Sequence, residues 1–369
     1  MTGGHFRSKL SEETDSAPTL LRQGIMTSNR TRRSSAAAGV AIAALSLAAC
    51  SGGGGTSAGS GGTAQASGGS NAQGETKGKD ITFVPGVVGN AFYVSMECGI
   101  REAAAKYGFN VKLQGPQQFD PALQTPIVNA VTAQKPAGMV IAPDDSTAMF
   151  VPISNAAKAG IKVALVDTTL KDTSPAITSI ATDNVKGGAA AAKDLAQLIG
   201  EKGKVLVLPF KAGAATSDDR QKGFETQIKQ YPNIEYIGPQ YTNNDPATAT
   251  SQVASTLAAH PDLAGIYATN DRSVEGAATG LRNANKIGAV KVVAFDTGPA
   301  QVQELQQGIV QALIGQVPRE IGATAVDAIA ASLTGGKPVD KAVTTTTVTV
   351  TKENLNTPEG QKGVYKTSC

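Results

Sequence analysis

Tryptophan is absent and histidine nearly so: the 369 residues include only His5 and His260. Two histidines rule out a histidine-built metal centre and leave no histidine base for a serine or cysteine nucleophile. Charge of one sign is missing too. A formal charge of +3 cannot supply the basic stripe that nucleic-acid binding requires. No apolar run reaches the roughly 20 residues of a membrane-spanning helix; the longest, 36–49, stops at about 14. Outside a low-complexity stretch there is no Gly-x-Gly-x-x-Gly and no Gly-x-Ser-x-Gly, and no Gly-Lys-Ser/Thr occurs anywhere. Phosphate-cradling loops and nucleophile elbows are therefore not in evidence. The reading is of a chain with no cofactor, no metal and no enzymatic activity, since catalysis would rest on carboxylate pairs alone.

What is present is an ordinary globular composition, 41% hydrophobic and 17% charged, over a length that suggests two domains. The apolar run 36–49 follows Arg30, Arg32 and Arg33 and ends in Leu47-Ala48-Ala49-Cys50. A basic flank, a short apolar core and small residues describe an export signal. The ending resembles a bacterial lipobox, with Cys50 as the lipidated residue. Residues 1–49 are read as the signal peptide, of which 1–25 would be a start-site extension if translation begins at Met26. Residues 50–78, rich in Gly, Ser, Ala and Thr, form an expected tether with a random-coil span of about 30 Å. The chain would then sit on the outer face of the cytoplasmic membrane. Of the three cysteines, Cys98 and Cys369 remain once Cys50 is lipidated. In an oxidising compartment they are either a disulfide pinning the tail to the first helix, the favoured reading, or two free thiols.

From residue 81 onward, short β-branched runs alternate with segments of helical periodicity. Strands are predicted at 81–88, 110–113, 138–142, 162–167, 204–209, 234–241, 265–268, 290–296 and 310–314. Helices are predicted at 92–107, 122–134, 147–159, 184–199, 218–230, 246–259, 273–285 and 319–333. Continuous apolar strands alternating with helices imply parallel sheets covered on both faces, grouped here as two doubly wound lobes. Ligands of such sheets sit beyond the carboxyl ends of the strands. Those ends carry Asn90, Phe92 and Tyr93; Asp144 and Asp145; Asp167 and Thr168; Asp218 and Arg220; Asn270; Phe295 and Asp296; and Gln316. Amides, carboxylates and guanidinium each hold vicinal hydroxyls, and aromatic faces pack on the C–H side of a sugar ring.

In this order and spacing the chain resembles the ribose-binding type of periplasmic binding protein, the solute receptor of bacterial sugar ABC importers. The carriers are Asn90-Ala91-Phe92-Tyr93-Val94, Ala181-Thr182-Asp183-Asn184 with Gly187-Gly188, Arg220-Gln221-Lys222-Gly223-Phe224, His260-Pro261-Asp262, Thr269-Asn270-Asp271, Ala294-Phe295-Asp296 and Gln316 ahead of Pro318. The resemblance covers about 80–350. It implies two Rossmann-like doubly wound parallel-sheet lobes joined by a three-stranded hinge, the type 1 periplasmic binding protein fold. One lobe would comprise 79–182 and 317–344, the other 183–316 and 345–369. It further implies a monomer that closes on a monosaccharide or sugar alcohol and delivers it to a membrane permease, with a signalling receptor of the same fold as the alternative.

Carried over by motif, Asn90, Phe92, Tyr93 and Asp167 would serve the first lobe, and Arg220, Asn270, Phe295, Asp296 and Gln316 the second lobe and hinge. The chain departs from the family pattern at Ala142, where an asparagine often stands, and at Thr168, where many relatives have arginine. It departs again at Asp218, where the usual ligand arginine would lie, and at Asn244, where an aromatic is common. Asp145, Thr168, Asp218 and Asn244 are retained as candidate ligands. The competing role for Asp167, Asn270 and Asp296 is the helix N-cap. Gly187-Gly188 is read as a site of close helix–strand packing, and His260 as a solvated helix end.

Overall fold

The computed structural model describes residues 74–369. The expected signal segment 1–49, Cys50 and the tether up to residue 73 lie outside the described residues. Residues 74–78 join the folded body: Thr76 is buried with its hydroxyl donating to the Tyr107 carbonyl, and the Gly78 N–H donates to Gly108 O at 2.8 Å. The body thus begins ahead of the boundary expected at 79.

The chain runs β1 (Asp80–Val84), α1 (Ala91–Tyr107), β2 (Asn110–Leu113), α2 (Pro121–Gln134), β3 (Gly138–Ile141), α3 (Phe150–Lys158), β4 (Lys162–Val166) and β5 (Thr178–Thr182). It continues through α4 (Asn184–Leu198), β6 (Gly203–Leu208), α5 (Ala215–Ile228), β7 (Ile234–Pro239), α6 (Pro246–Ala259), β8 (Leu263–Ala268), α7 (Asp271–Asn283), β9 (Lys291–Phe295), α8 (Pro299–Gln307) and β10 (Ala312–Gly315). It then returns by α9 (Pro318–Thr334) and β11 (Ala342–Thr345), and ends with β12 (Val348–Val350) and α10 (Pro358–Lys362). Two sheets result, ordered β11-β5-β4-β3-β1-β2 and β12-β10-β9-β8-β6-β7. Every pairing is parallel except that β12 runs antiparallel to β10.

The apolar strands explain the layering. Along β6, Val205 and Val207 enter the core under α4 and α5, while Leu206 and Leu208 face the core under α6 and α7. That is the period-2 alternation of a strand buried on both faces. The first lobe repeats it: Phe83, Met96, Ile100 and Ile321 pack under α1 and α9, and Met139, Ile153 and Leu165 under α2 and α3. The two parallel-sheet α/β lobes read from the sequence are the observed architecture.

Three segments cross between the sheets, after β5, after β10 and between β11 and β12. They are tied to one another: Thr182 Oγ1 donates to Gln316 Oε1 at 2.7 Å, and Asp183 N–H donates to Thr345 O at 2.9 Å. β5, β11, β12 and α8 were not among the elements predicted. β5 reads Thr-Ser-Ile-Ala-Thr and β11 Ala-Val-Thr-Thr, lacking the continuous apolar run that marks the central strands.

Candidate functional site

The two sheets point their carboxyl ends at one cleft, and a cavity of about 740 Å³ fills it, within the range usual for small-molecule sites. Helix N-termini ring the cavity, and their capping residues reach into it. Asn90 caps α1, its side-chain oxygen accepting from Phe92 N–H at 2.9 Å; its amide nitrogen is left to donate across the cleft to Asp271 Oδ2 at 2.6 Å. Asn270 does the same for α7. Its oxygen accepts from Ser273 N–H and its nitrogen donates to Asn244 Oδ1 at 2.7 Å. Cap and cleft residue are thus not alternatives for asparagine, because one amide has both an acceptor and donors.

Two aspartates occupy equivalent places, the first residue after β4 and the first after β9. Asp167 has φ 63° and Asp296 φ 78°, a left-handed conformation that costs a non-glycine residue energy and clusters at ligand sites. Each is braced by a tyrosine. Tyr93 donates to Asp167 Oδ2 at 2.7 Å, and Tyr365 donates to Asp296 Oδ1 at 2.9 Å. Asp296 Oδ1 also accepts from Gln316 Nε2 at 2.8 Å, and its Oδ2 accepts from Asp271 N–H at 3.2 Å. Burial pushes the Asp167 carboxyl up to about 6, against the pull of the Arg220 guanidinium and the Tyr93 hydroxyl. Burial and the neighbouring Asp296 charge raise Asp271 as well.

Arg220 is the buried cation of the site. Its guanidinium lies 3.7 Å from the Phe295 ring centroid, donates from Nε to Asn184 Oδ1 at 2.9 Å and from Nη1 to Thr269 O at 2.7 Å. Stacking and two hydrogen bonds fix the fork while Nη2 stays available. The backbone beneath it is fixed by Gly188: a Cβ there would collide with the Arg220 carbonyl, and one on Gly187 would strike the Phe295 ring. The glycine pair therefore allows helix–helix as well as helix–strand contact.

Nine of the thirteen candidate ligand residues line the cavity: Asn90, Phe92, Tyr93, Asp167, Arg220, Asn244, Asn270, Asp296 and Gln316. Four do not. Phe295 is the last residue of β9 and points to the face opposite Asp296, fully buried under Arg220. Thr168 is buried off the cavity wall, since the left-handed turn at Asp167 presents only the aspartate. Asp145 caps its own turn by accepting from Thr147 and Ala148 N–H, and Asp218 lies on α5 facing the Gly213 N–H at 3.4 Å. Asp144, noted beside them, is buried, and burial pushes its carboxyl up to about 9, so it is neutral at pH 7.

Sequence reasoning missed the aromatic gate. Phe119 and Phe210 line the cavity from opposite lobes, edge to face at 5.7 Å, and Lys211 Nζ donates to Phe119 O at 2.9 Å. A second contact between the lobes joins Ser146 N–H to Gly213 O at 3.2 Å. Asp271 and Thr216 also line the cavity. Phe119 before Asp120-Pro121 and Phe210 after Pro209 sit at an element start and a strand end, the one signal that could have found them.

The sequence profile described as periplasmic binding protein domain matches residues 81–337. The ribose import binding protein of Escherichia coli is 31% identical over 257 residues, 70% of this chain and 86% of that protein. The D-allose-binding periplasmic protein of the same organism is 29% identical over 263 residues, 69% of this chain and 85% of that one. Among solved structures, an ABC transporter solute-binding protein from Agrobacterium vitis bound with α-D-tagatopyranose superposes with a TM-score of 0.75 at 36% identity, covering 78% of this chain and 99% of that one. Another from the same organism, with bound D-fucose, gives 0.73 at 29% identity, covering 78% and 100%.

Proposed function

Because this chain belongs to the family of periplasmic binding proteins, we propose that it captures a monosaccharide or sugar alcohol between its lobes and hands it to the permease of an ABC importer. The observation that carries this reading is the cavity itself, where Asn90 and Asp167 from one lobe face Arg220, Asn270 and Asp296 from the other, with Gln316 at the hinge. Carboxylate, amide and guanidinium groups converge there with the Phe92, Phe119 and Phe210 rings. Such a set holds hydroxyls by charge-assisted hydrogen bonds and covers the apolar face of a pyranose or furanose.

The mechanism follows from the contacts that span the cleft. A sugar touching both Asp167 and Asp296 binds the closed arrangement better than an open one, and that difference in affinity shifts the population toward closure. The Asn90–Asp271, Lys211–Phe119 and Ser146–Gly213 hydrogen bonds form only when the rims meet. They add to the closed state beyond what the guest's own contacts supply. Closure would present one surface from each lobe to a permease. The site residues bind and orient; none is asked to perform chemistry. Export, lipidation at Cys50, attachment to the outer face of the cytoplasmic membrane and a monomeric state complete the reading. The lipobox-like sequence ending in Cys50 supports the export and the anchor.

A thermal-shift panel of pentoses, hexoses, ketohexoses and polyols tests it. Binding stabilises by RT ln(1 + [L]/Kd), so a millimolar sugar at a micromolar site adds about 4 kcal/mol. A shift with at least one sugar is expected. No shift across the panel, with the protein folded, overturns the reading.

A further inference from the structure

The last seven residues form a strap that the hinge of this fold does not require. Residue 363 still belongs to the second lobe, where Thr297 Oγ1 donates to the Gly363 carbonyl and Tyr365 N–H donates to Thr297 O at 3.2 Å. By Lys366 the chain is on the first lobe. Lys366 N–H donates to Ser95 Oγ at 2.6 Å, Ser95 sits on α1, and Cys369 is joined to Cys98 of the same helix by a disulfide. The strap is thus a fourth connection between the lobes, closed covalently on the helix that begins with Asn90 and Phe92.

At the crossing point stands Tyr365, 5% exposed. Its hydroxyl accepts from Gln316 N–H at 3.3 Å and donates to Asp296 Oδ1 at 2.9 Å. Its ring packs edge-on against Phe92 at 5.5 Å, and Phe92 packs edge-on against Tyr93 at 5.1 Å. Three rings therefore link the carboxylate of one lobe to that of the other: Asp167–Tyr93–Phe92–Tyr365–Asp296. Tyr365 does not line the cavity, so it touches a guest only through Asp296 and Phe92.

We propose that Tyr365 is a positioning residue for ligand binding, holding the Asp296 carboxylate and the Phe92 ring in their binding geometry, and that the Cys98–Cys369 disulfide acts by keeping this tyrosine in place. The proposal rests on the sugar-binding reading above. Asp296 sits in a strained left-handed conformation, and such conformations persist only when the surroundings over-determine them. Gln316, the Asp271 N–H and the Tyr365 hydroxyl supply that determination. Asp271 opens α7 and Gln316 follows β10; the tyrosine is the one of the three that comes from the C-terminal strap.

The test compares wild type, Tyr365→Phe, Cys369→Ser and the double variant, titrated calorimetrically with D-ribose, D-allose, D-tagatose and D-fucose. Phenylalanine keeps the ring on Phe92 and removes only the hydroxyl. The expected result is affinity lowered about 5- to 30-fold in a protein that still folds, its melting temperature lowered because the buried Gln316 N–H loses its acceptor. In the unliganded protein, amide hydrogen exchange at Asp271, whose N–H rests on Asp296, should quicken. Cys369→Ser should weaken binding in the same direction, and the double variant should lose less than the two single losses combined, because both act through one side chain. Wild-type affinity in Tyr365→Phe overturns the positioning role, and fully additive losses overturn the role given to the disulfide. If wild type takes none of the four sugars, the sugar reading is decided by the wider thermal-shift panel above. The exchange measurement then decides the positioning role, which unchanged exchange at Asp271 overturns.

Discussion

Asn90 donates its side-chain amide to the Asp271 carboxylate across the cleft at 2.6 Å. The donor belongs to the first helix of one lobe and the acceptor to a helix of the other, 181 residues later. Asn90 also caps α1, so the cross-cleft contact can be removed while the cap is kept. Serine retains a capping oxygen but is too short to span the gap. In Asn90→Ser we expect the unliganded protein to be wider by small-angle scattering and sugar affinity to fall about tenfold, the equivalent of one charge-assisted hydrogen bond. Unchanged scattering and unchanged affinity would show that the clasp does not favour closure.

The Asp167 carboxyl, held up to about 6 by burial, gives a pH signature. Its folded value lies above the ordinary 3.8, so this group makes the unliganded fold less stable as pH rises from about 4 to 6, the reverse of a salt-bridged aspartate. A sugar hydroxyl donating to the ionised carboxylate inverts the dependence for binding. Affinity should be level between pH 7 and 8 and fall as pH drops through 6. Arg220, Tyr93 and Asp296 face Asp167, and the raised Asp271 adds to the same window. Calorimetric titration from pH 5 to 8 checks this; affinity that stays flat to pH 5 contradicts it.

Arg220 combines a stacked guanidinium with two buried hydrogen bonds. Arg220→Lys keeps the charge but loses the planar fork. It should reduce affinity by at least about tenfold and stability by about 1–3 kcal/mol, because Asn184 Oδ1 and Thr269 O lose a partner. Chemical denaturation alongside calorimetry separates the two effects.

Gly188→Ala tests the scaffold beneath that arginine. The added Cβ meets the Arg220 backbone, and helix backbones do not yield as a flexible side chain does. Overpacking of this kind costs about 1–3 kcal/mol. Both melting temperature and sugar affinity should fall, whereas a fall in neither would mean that the α4–α5 contact relaxes freely.

The strands that build the lobes were legible because β3, β4, β8 and β9 are buried on both faces and so carry continuous apolar runs. The first polar residue after each run, as at Asp167 and Asp296, then marks the cleft. What failed to show had physical reasons. β5 and β11 pair with each other at the sheet edge, in Thr-rich sequence whose pattern a loop shares. Phe295 was assigned to the cavity by its place beside Asp296. A strand sends neighbouring side chains to opposite faces, and it acts from below through Arg220. Phe119 and Phe210 meet 91 positions apart, and Tyr365 reaches Asp296 across 69 residues; neither partnership leaves a local pattern.

The most direct measurement is a calorimetric titration of wild type and Asp167→Ala with each sugar that shifts the melting temperature. The account predicts saturable heat for wild type with at least one sugar. For the variant it predicts affinity at least about tenfold weaker, with its own melting temperature little changed. A variant that binds that sugar as tightly as wild type would contradict the placement of the guest between Asp167 and Asp296.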